Sequence, residues 1–412
     1  MDAKCTKIFW AASLTVFIFL AGGILMHDTN PNVQASTSAS ASGTGPGAGT
    51  AQDGWRLGDG ITYENLTVFP VFSAQEANTS GFATLDEALA SGDAVVTEQG
   101  GGMHRTRDGS GQPMVSSGAQ VNQLVLVNRG KKPLLLLAGE VISGGKQDRI
   151  IGKDRIVPIG AEPLPLDVFC VERGRWTAGS NKFASAKMMA HPTVREMATI
   201  QEDQAQVWAA VRAQSSIASS LERDPSAGRA AGSAGGRTGA TSAAMASPPP
   251  ISATSIDGVV ASVAPTQSYR QIYNSRELGG SVENFADQIQ KRFERATTGM
   301  KGERVVGVVV AYGGEVAWSD IFASSALFEA YWPKLLRSYV VEALTRPGTR
   351  ENVSLIDARD FLKPASGRTR EETEPGVYRW RERTEGRAAE IELEALEPKP
   401  LTLHWLKVLR VN

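Results

Sequence analysis

Apolar and polar residues alternate with a period of two along LTVFPVFS, Leu66–Ser73, and predict a strand. TLDEALASGDAVVTEQ, residues 84–99, predicts a short helix, a stop at Gly92 and a second strand. QLVLVN and PLLLLAGE are apolar runs joined through Gly130-Lys131-Lys132, a pattern that reads as two strands with a tight turn. DRII and DRIV flank Gly152-Lys153, a glycine-first two-residue loop. That reading pairs Arg149 with Ile156 and Ile150 with Arg155. LPLDVFCVE, residues 164–172, is the next predicted strand.

A long helix is predicted from Pro192 or Thr193 to about Arg223, with Thr193 and Glu196 spaced as a capping box and Val194, Met197, Trp208 and Val211 on its apolar stripe. SVENFADQIQKRFERA predicts another helix, with Val282, Phe285, Ile289 and Phe293 on one face. VVGVVVAY, a Gly313-Gly314 turn and EVAWSD predict two strands, followed by a helix from about Ser325 to Thr345. VYRWRERTEGRAAEIELEAL reads as a hairpin turning at Glu385-Gly386. Counting back from that turn sets Arg381 against Glu390 and Arg379 against Glu392 on an ionic face, and Trp380 against Ile391 and Tyr378 against Leu393 on an apolar one. LTLHWLKVLRV adds a final strand. Strands and helices do not alternate strictly, so the fold class is α+β, a mixed or mainly antiparallel sheet with several packed helices.

The first 35 residues read as an address. Lys4 and Lys7 precede Ile8–Met26, a run without charge that would reach about 30 Å as a helix. The run is long for a cleaved signal, while Val33-Gln34-Ala35 resembles a cleavage site, so anchor and signal both stand. Either choice places the remainder outside the cytoplasm, with the membrane as a partner through residues 8–26 or the protein secreted or periplasmic. Residues 36–53, rich in Ser, Ala and Gly, read as a tether. Residues 54–412 read as a single domain with a low-complexity insertion at 224–253.

Of the 412 residues, 42% are hydrophobic and 21% charged, enough apolar material for a real core. The formal net charge of −1 offers no basic field for nucleic acid, so no nucleic-acid partner is expected. Two cysteines, Cys5 and Cys170, and four histidines in no ligand spacing predict neither a disulfide nor a metal site.

Charge gathers in GEVISGGKQDRIIGKDRIVP and VFCVERGRW. No phosphate loop is present, because Gly145-Lys146 is followed by Gln147 and Glu140 stands where the first glycine belongs. Arginines beside glycine turns suit bidentate recognition of carboxylate or phosphate, and Asp148 and Asp154 offer the alternative of internal salt bridges. The candidate ligand-binding residues are Lys146, Gln147, Arg149, Arg173, Arg175 and Trp176. Glu140 and Glu172 are candidates for a general acid–base pair. Cys170 is a further catalytic candidate if Arg173 and Arg175 lower its pKa, but in its apolar strand it reads rather as a core thiol, since a reactive thiol needs an exposed electropositive setting. His191 reads as a loop residue at a helix start.

NLTVFPV, TLDEALASGDAVVTE, LVLVNRGKKPLLLLAGEVISGGKQDRII and VFCVERGRW together resemble the bacterial domain named for its association with ADP-ribosylglycohydrolases (ARG) and with rhodanese/phosphatase-superfamily proteins. The resemblance runs from about Leu66 to Trp176 and more loosely to about Thr345. It rests on Glu140, Gly144, Gly145, Lys146, Gln147, Arg149, Cys170, Glu172, Arg173, Gly174, Arg175 and Trp176. It implies a setting in ADP-ribose and NAD-linked metabolism, and it names no cofactor and no reaction. The expected function is that of an exported or membrane-anchored domain binding an anionic or nucleotide-like small molecule through its Arg/Gly-rich loops. The alternatives are a non-catalytic envelope interaction module, whose protein partner the sequence does not name, and a hydrolase using Glu140 or Glu172.

Overall fold

The computed structural model describes residues 54–98, 106–107, 113–114, 123–172, 182–223, 269–274, 276–300, 302–346 and 351–410. The apolar run at residues 8–26, the tether and the insertion at 224–253 lie outside them. Among the described residues no helix is long and apolar enough to cross a membrane.

The chain is α+β, and its sheets are mostly antiparallel. The largest sheet has nine strands. Its order runs Trp55–Leu57, Leu66–Ser73, Arg304–Tyr312, Glu315–Phe322, Leu401–Leu409, Ala388–Ala395, Tyr378–Glu385 and Arg368–Glu374, and Ile61–Tyr63 also pairs with Leu66–Ser73. The apolar strands lie centrally, whereas Arg368–Glu374, exposed at every position, forms a charged edge that discourages further pairing. The helix Ser325–Thr345 packs on one face with Arg276–Thr297, whose Val282, Phe285, Ile289 and Phe293 are all buried as their spacing predicts. The short helix Leu355–Phe361 covers part of the other face through Ala358.

The second body of structure is a closed six-stranded barrel, in the order Glu140–Gly144, Arg149–Ile151, Leu164–Cys170, Gln123–Asn128, Ala94–Glu98 and Lys182–Met189. Val96, Leu124, Leu126, Ile142, Ile151, Leu166, Val168 and Phe183 fill it. The helix Leu85–Ser91 precedes it, with Thr84 and Glu87 closing a capping box and Gly92 left-handed at its end. A three-stranded sheet of Arg155–Val157, Leu134–Leu136 and Ala83–Thr84 lies beside the barrel.

Several local expectations are corrected. DRII and DRIV do not pair: Arg149 lies opposite Ile142 and Cys170 in the barrel, whereas Arg155 lies opposite Leu136 in the small sheet. Asp154 is bonded into the protein interior and turns the chain from one sheet to the other, so Gly152-Lys153 is a crossover. The runs around Gly130 part in the same way, Gln123–Asn128 to the barrel and Leu134–Leu136 to the small sheet. The long helix is two, Pro192–Thr199 and Gln204–Arg223, broken where Glu202 takes a φ of 51°. Thr193 makes no capping box, because it bonds Glu342 instead.

The C-terminal hairpin keeps its ionic and apolar faces but shifts register by two. Arg381 faces Glu392, Arg379 faces Glu394, Trp380 faces Leu393 and Tyr378 faces Ala395. The cause is a turn centred on Gly386-Arg387, with Gly386 at a φ of 55° and Glu385 paired with Ala388.

Candidate functional site

Cross-strand neighbours in a sheet point to the same side, and residues along a strand alternate. Ile142 points into the barrel, so its partner Arg149 and Arg149's partner Cys170 do too. Glu98 follows Val96 by two and shares its side. The barrel interior is therefore apolar over most of its length and polar at one end. At that end the turn 145–148 joins two strands. Glu98, Gln123 and Lys182 end their strands there, and Glu172 follows Cys170 by two. Arg173, Arg175 and Trp176 lie outside the described residues.

Gly144 and Gly145 make the closure possible. A side chain on Gly144, at a φ of 151°, would overlap the Lys182 carbonyl. One on Gly145, at a φ of 53°, would meet the Phe183 ring and stand 2.7 Å from a Glu98 carboxylate oxygen. The tight turn that results lets the Lys146 backbone N–H donate to Glu98 Oε1 at 3.0 Å. The Lys146 side chain stays half-buried.

Gln147, Asp148, Arg149 and Glu172 are all buried at this rim. The Arg149 guanidinium donates through Nη1 to the carbonyls of Gln147, at 2.8 Å, and Asp148. The Asp148 N–H donates to Glu172 Oε2 at 3.2 Å. Burial lowers the Arg149 pKa, against the opposing pull of Cys170, Glu98, Asp148 and Glu172. Burial also raises the Cys170 pKa, and Arg149 pulls the other way without reversing the shift. The thiol is buried, so it stays protonated and inert at neutral pH. The carboxamide oxygen of Gln147, which is 1% exposed, has no hydrogen-bond partner.

Glu140 is elsewhere. It opens its strand at the opposite end of the barrel, accepts from the Leu137 N–H at 2.8 Å and is ion-paired to Lys334 at 2.6 Å. Burial pushes the Glu140 carboxyl up, and Lys334 opposes it. Glu140 and Glu172 thus stand at opposite ends of one barrel and share no site.

Two buried polar groups escaped the sequence reading. In one, Asp320 accepts both Arg195 Nη1 and Nη2, at 2.9 and 2.8 Å, together with Trp318 Nε1, the Tyr339 hydroxyl and His404 Nε2. His404 Nδ1 meets Asp154 at 2.5 Å. In the other, Glu342 meets His191 Nδ1 at 2.9 Å. The available signal was a charged residue inside an apolar run: Asp320 in EVAWSDIF, His404 in LTLHWLKVL and Glu342 in the helix Ser325–Thr345.

Fold and site define an α+β protein in which a closed barrel, polar at one mouth, sits beside a large antiparallel sheet. The chain matches the model of the ARG and Rhodanese-Phosphatase-superfamily-associated Protein domain over residues 54–407, and it belongs to that family. None of the curated proteins and none of the solved structures compared with it matches.

Proposed function

We propose that the polar barrel mouth binds a small nucleotide-like molecule carrying both hydroxyl and anionic groups, of the ADP-ribose type. The observation that carries this reading is the side-chain carboxamide oxygen of Gln147, buried at the rim and without a partner. A buried acceptor left unsatisfied costs about 1–3 kcal/mol, and a ligand hydroxyl would remove that cost. Glu98 and Glu172 add carboxylate acceptors suited to ribose hydroxyls. Lys146, and Arg173 and Arg175 next along the chain from Glu172, supply the positive charge for phosphates. Arg149 shapes the rim through its bonds to two carbonyls. Mouths of β-barrels are common ligand sites. Lys4 and Lys7 before the uncharged run at residues 8–26 support a setting outside the cytoplasm, anchored or exported.

The test is thermal unfolding of the full chain with ADP-ribose, ribose, inorganic phosphate and a dicarboxylate. At a hundred times its dissociation constant a ligand adds about 2.7 kcal/mol, a shift of a few degrees. ADP-ribose is expected to raise the midpoint, and Gln147→Ala and Arg173→Ala each to abolish the rise while folding normally. Absence of any shift would reject the reading and favour the interaction module.

A further inference from the structure

A second buried polar cluster lies outside the barrel, where Pro192–Thr199, Gln204–Arg223, Ser325–Thr345 and the end of Arg304–Tyr312 meet. Glu342 is its centre. Its Oε1 accepts from the Thr193 hydroxyl at 2.6 Å, and its Oε2 from the Thr193 N–H at 3.1 Å. The same Oε2 lies 2.9 Å from His191 Nδ1. Burial alone would raise the Glu342 carboxyl, but His191 and Thr193 prevail and hold it below the usual carboxylate range. A charged carboxylate makes Nδ1 the protonated nitrogen of His191.

That assignment leaves Nε2 as the acceptor, and Nε2 has no hydrogen-bond partner although His191 is fully buried. It is not alone. The Gln214 Nε2 lies 3.2 Å from His191 Nδ1, which cannot accept from it while it donates to Glu342, and the Gln214 Oε1 has no partner. The Tyr312 hydroxyl, whose strongest charged neighbour is Glu342, has none either. Folded proteins leave few buried polar atoms unsatisfied. Here three of them, from three separate elements, surround a single carboxylate. The remaining neighbours are satisfied: Tyr269 accepts the His191 N–H, and Tyr273 donates to the Met189 carbonyl. The internal salt bridges of this fold leave no such set, since Asp320 and His404 are bonded throughout.

We propose that His191 and Glu342 form a hydrogen-bonding dyad for a hydroxyl-bearing small molecule, which bonds Nε2, the Gln214 carboxamide and the Tyr312 hydroxyl. The ligand O–H donates to the Nε2 lone pair, and the Tyr312 O–H donates to the same ligand oxygen. Glu342, across Nδ1, fixes the tautomer that presents Nε2 as an acceptor and is a positioning residue for it. The site is independent of the barrel mouth and stands or falls without it.

Histidine-selective nitrogen-15 NMR on the full chain tests both halves, with His191→Gln to assign the signals. The unliganded protein is expected to show His191 with Nδ1 as the hydrogen-bond donor and Nε2 bare. Ribose, glycerol and ADP-ribose are then added in turn. At least one is expected to move the bare-nitrogen signal toward its hydrogen-bonded position and leave His404 unmoved. Tyr312→Phe, which keeps the ring, should weaken that response tenfold or more. Gln147→Ala, at the barrel mouth, should leave it intact. A His191 that carries a proton on both nitrogens in the unliganded protein overturns the dyad. A bare Nε2 that no probe moves, or that Tyr312→Phe leaves equally responsive, reduces the cluster to buried water and overturns the site.

Discussion

His404 shows how far burial and partners can shift a single side chain. Desolvation alone would lower its pKa, yet the carboxylates of Asp154 and Asp320 on its two nitrogens raise it from 6.5 to about 9. Both nitrogens are donors in that state, so the ring is an imidazolium clamped between two anions. Its folded value lies above its unfolded one. The stabilisation is therefore complete below about pH 6.5 and is lost as pH rises through 9. The amount at stake is on the order of 3 kcal/mol. Urea unfolding is expected to show stability falling between pH 6.5 and 9, and His404→Gln to flatten that slope. An unchanged slope in the variant would assign the proton elsewhere. None of this was legible at residue level: LTLHWLKVL reads as an apolar strand, and the two carboxylates that raise the pKa lie 84 and 250 positions away.

Elements were more legible than their partners. Period and turn chemistry located most strands and the helices Leu85–Ser91, Arg276–Thr297 and Ser325–Thr345, because each is specified by its own residues. Pairing was misread wherever a short turn was taken for a hairpin, since a two-residue loop and a crossover look alike until buried groups such as Asp154 fix the chain's direction. The glycine turns of this stretch were legible, and their demand on the barrel is specific. Gly144→Ala would drive a methyl into the Lys182 backbone, which cannot retreat without opening the barrel. Strain of this kind costs about 1–3 kcal/mol, to which the steric overlap adds. Gly160→Ala is the fair comparison. Its φ is also positive, at 64°, but nothing lies within 4 Å of the added carbon. Denaturant melts should show Gly144→Ala the more destabilised of the two, and equal losses would place the cost in φ alone. Of the candidate site, Gln147 and Arg149 were found from sequence because they lie beside these glycines. Glu98, 48 positions before Lys146, was not.

At the scale of the molecule, the Arg195–Asp320–His404–Asp154 network decides whether barrel and sheet behave as one. Asp320 and His404 belong to the nine-stranded sheet, and Asp154 to the crossover that leaves the barrel. Arg195, on the helix Pro192–Thr199, also donates through Nε to the carbonyl of Ala138 at 2.7 Å, where the chain enters the barrel. Asp154 accepts from the Ala138 N–H at 2.7 Å. Every link is buried, so removing one charge strands another in a medium that cannot solvate it. Arg195→Leu is expected to cost about 3–5 kcal/mol. The same reasoning makes unfolding a single event, because neither body can open without exposing its half of the network. Trp318, Trp380 and Trp405 report on the sheet by fluorescence, and the buried Cys170 thiol reports on the barrel by its reaction with a maleimide once Cys5 is replaced by serine. The two urea transitions should coincide in the wild-type chain and move together in Arg195→Leu. A Cys170 that reacts at lower urea than the tryptophans report would make the barrel a separate cooperative unit and confine the network's effect to the sheet.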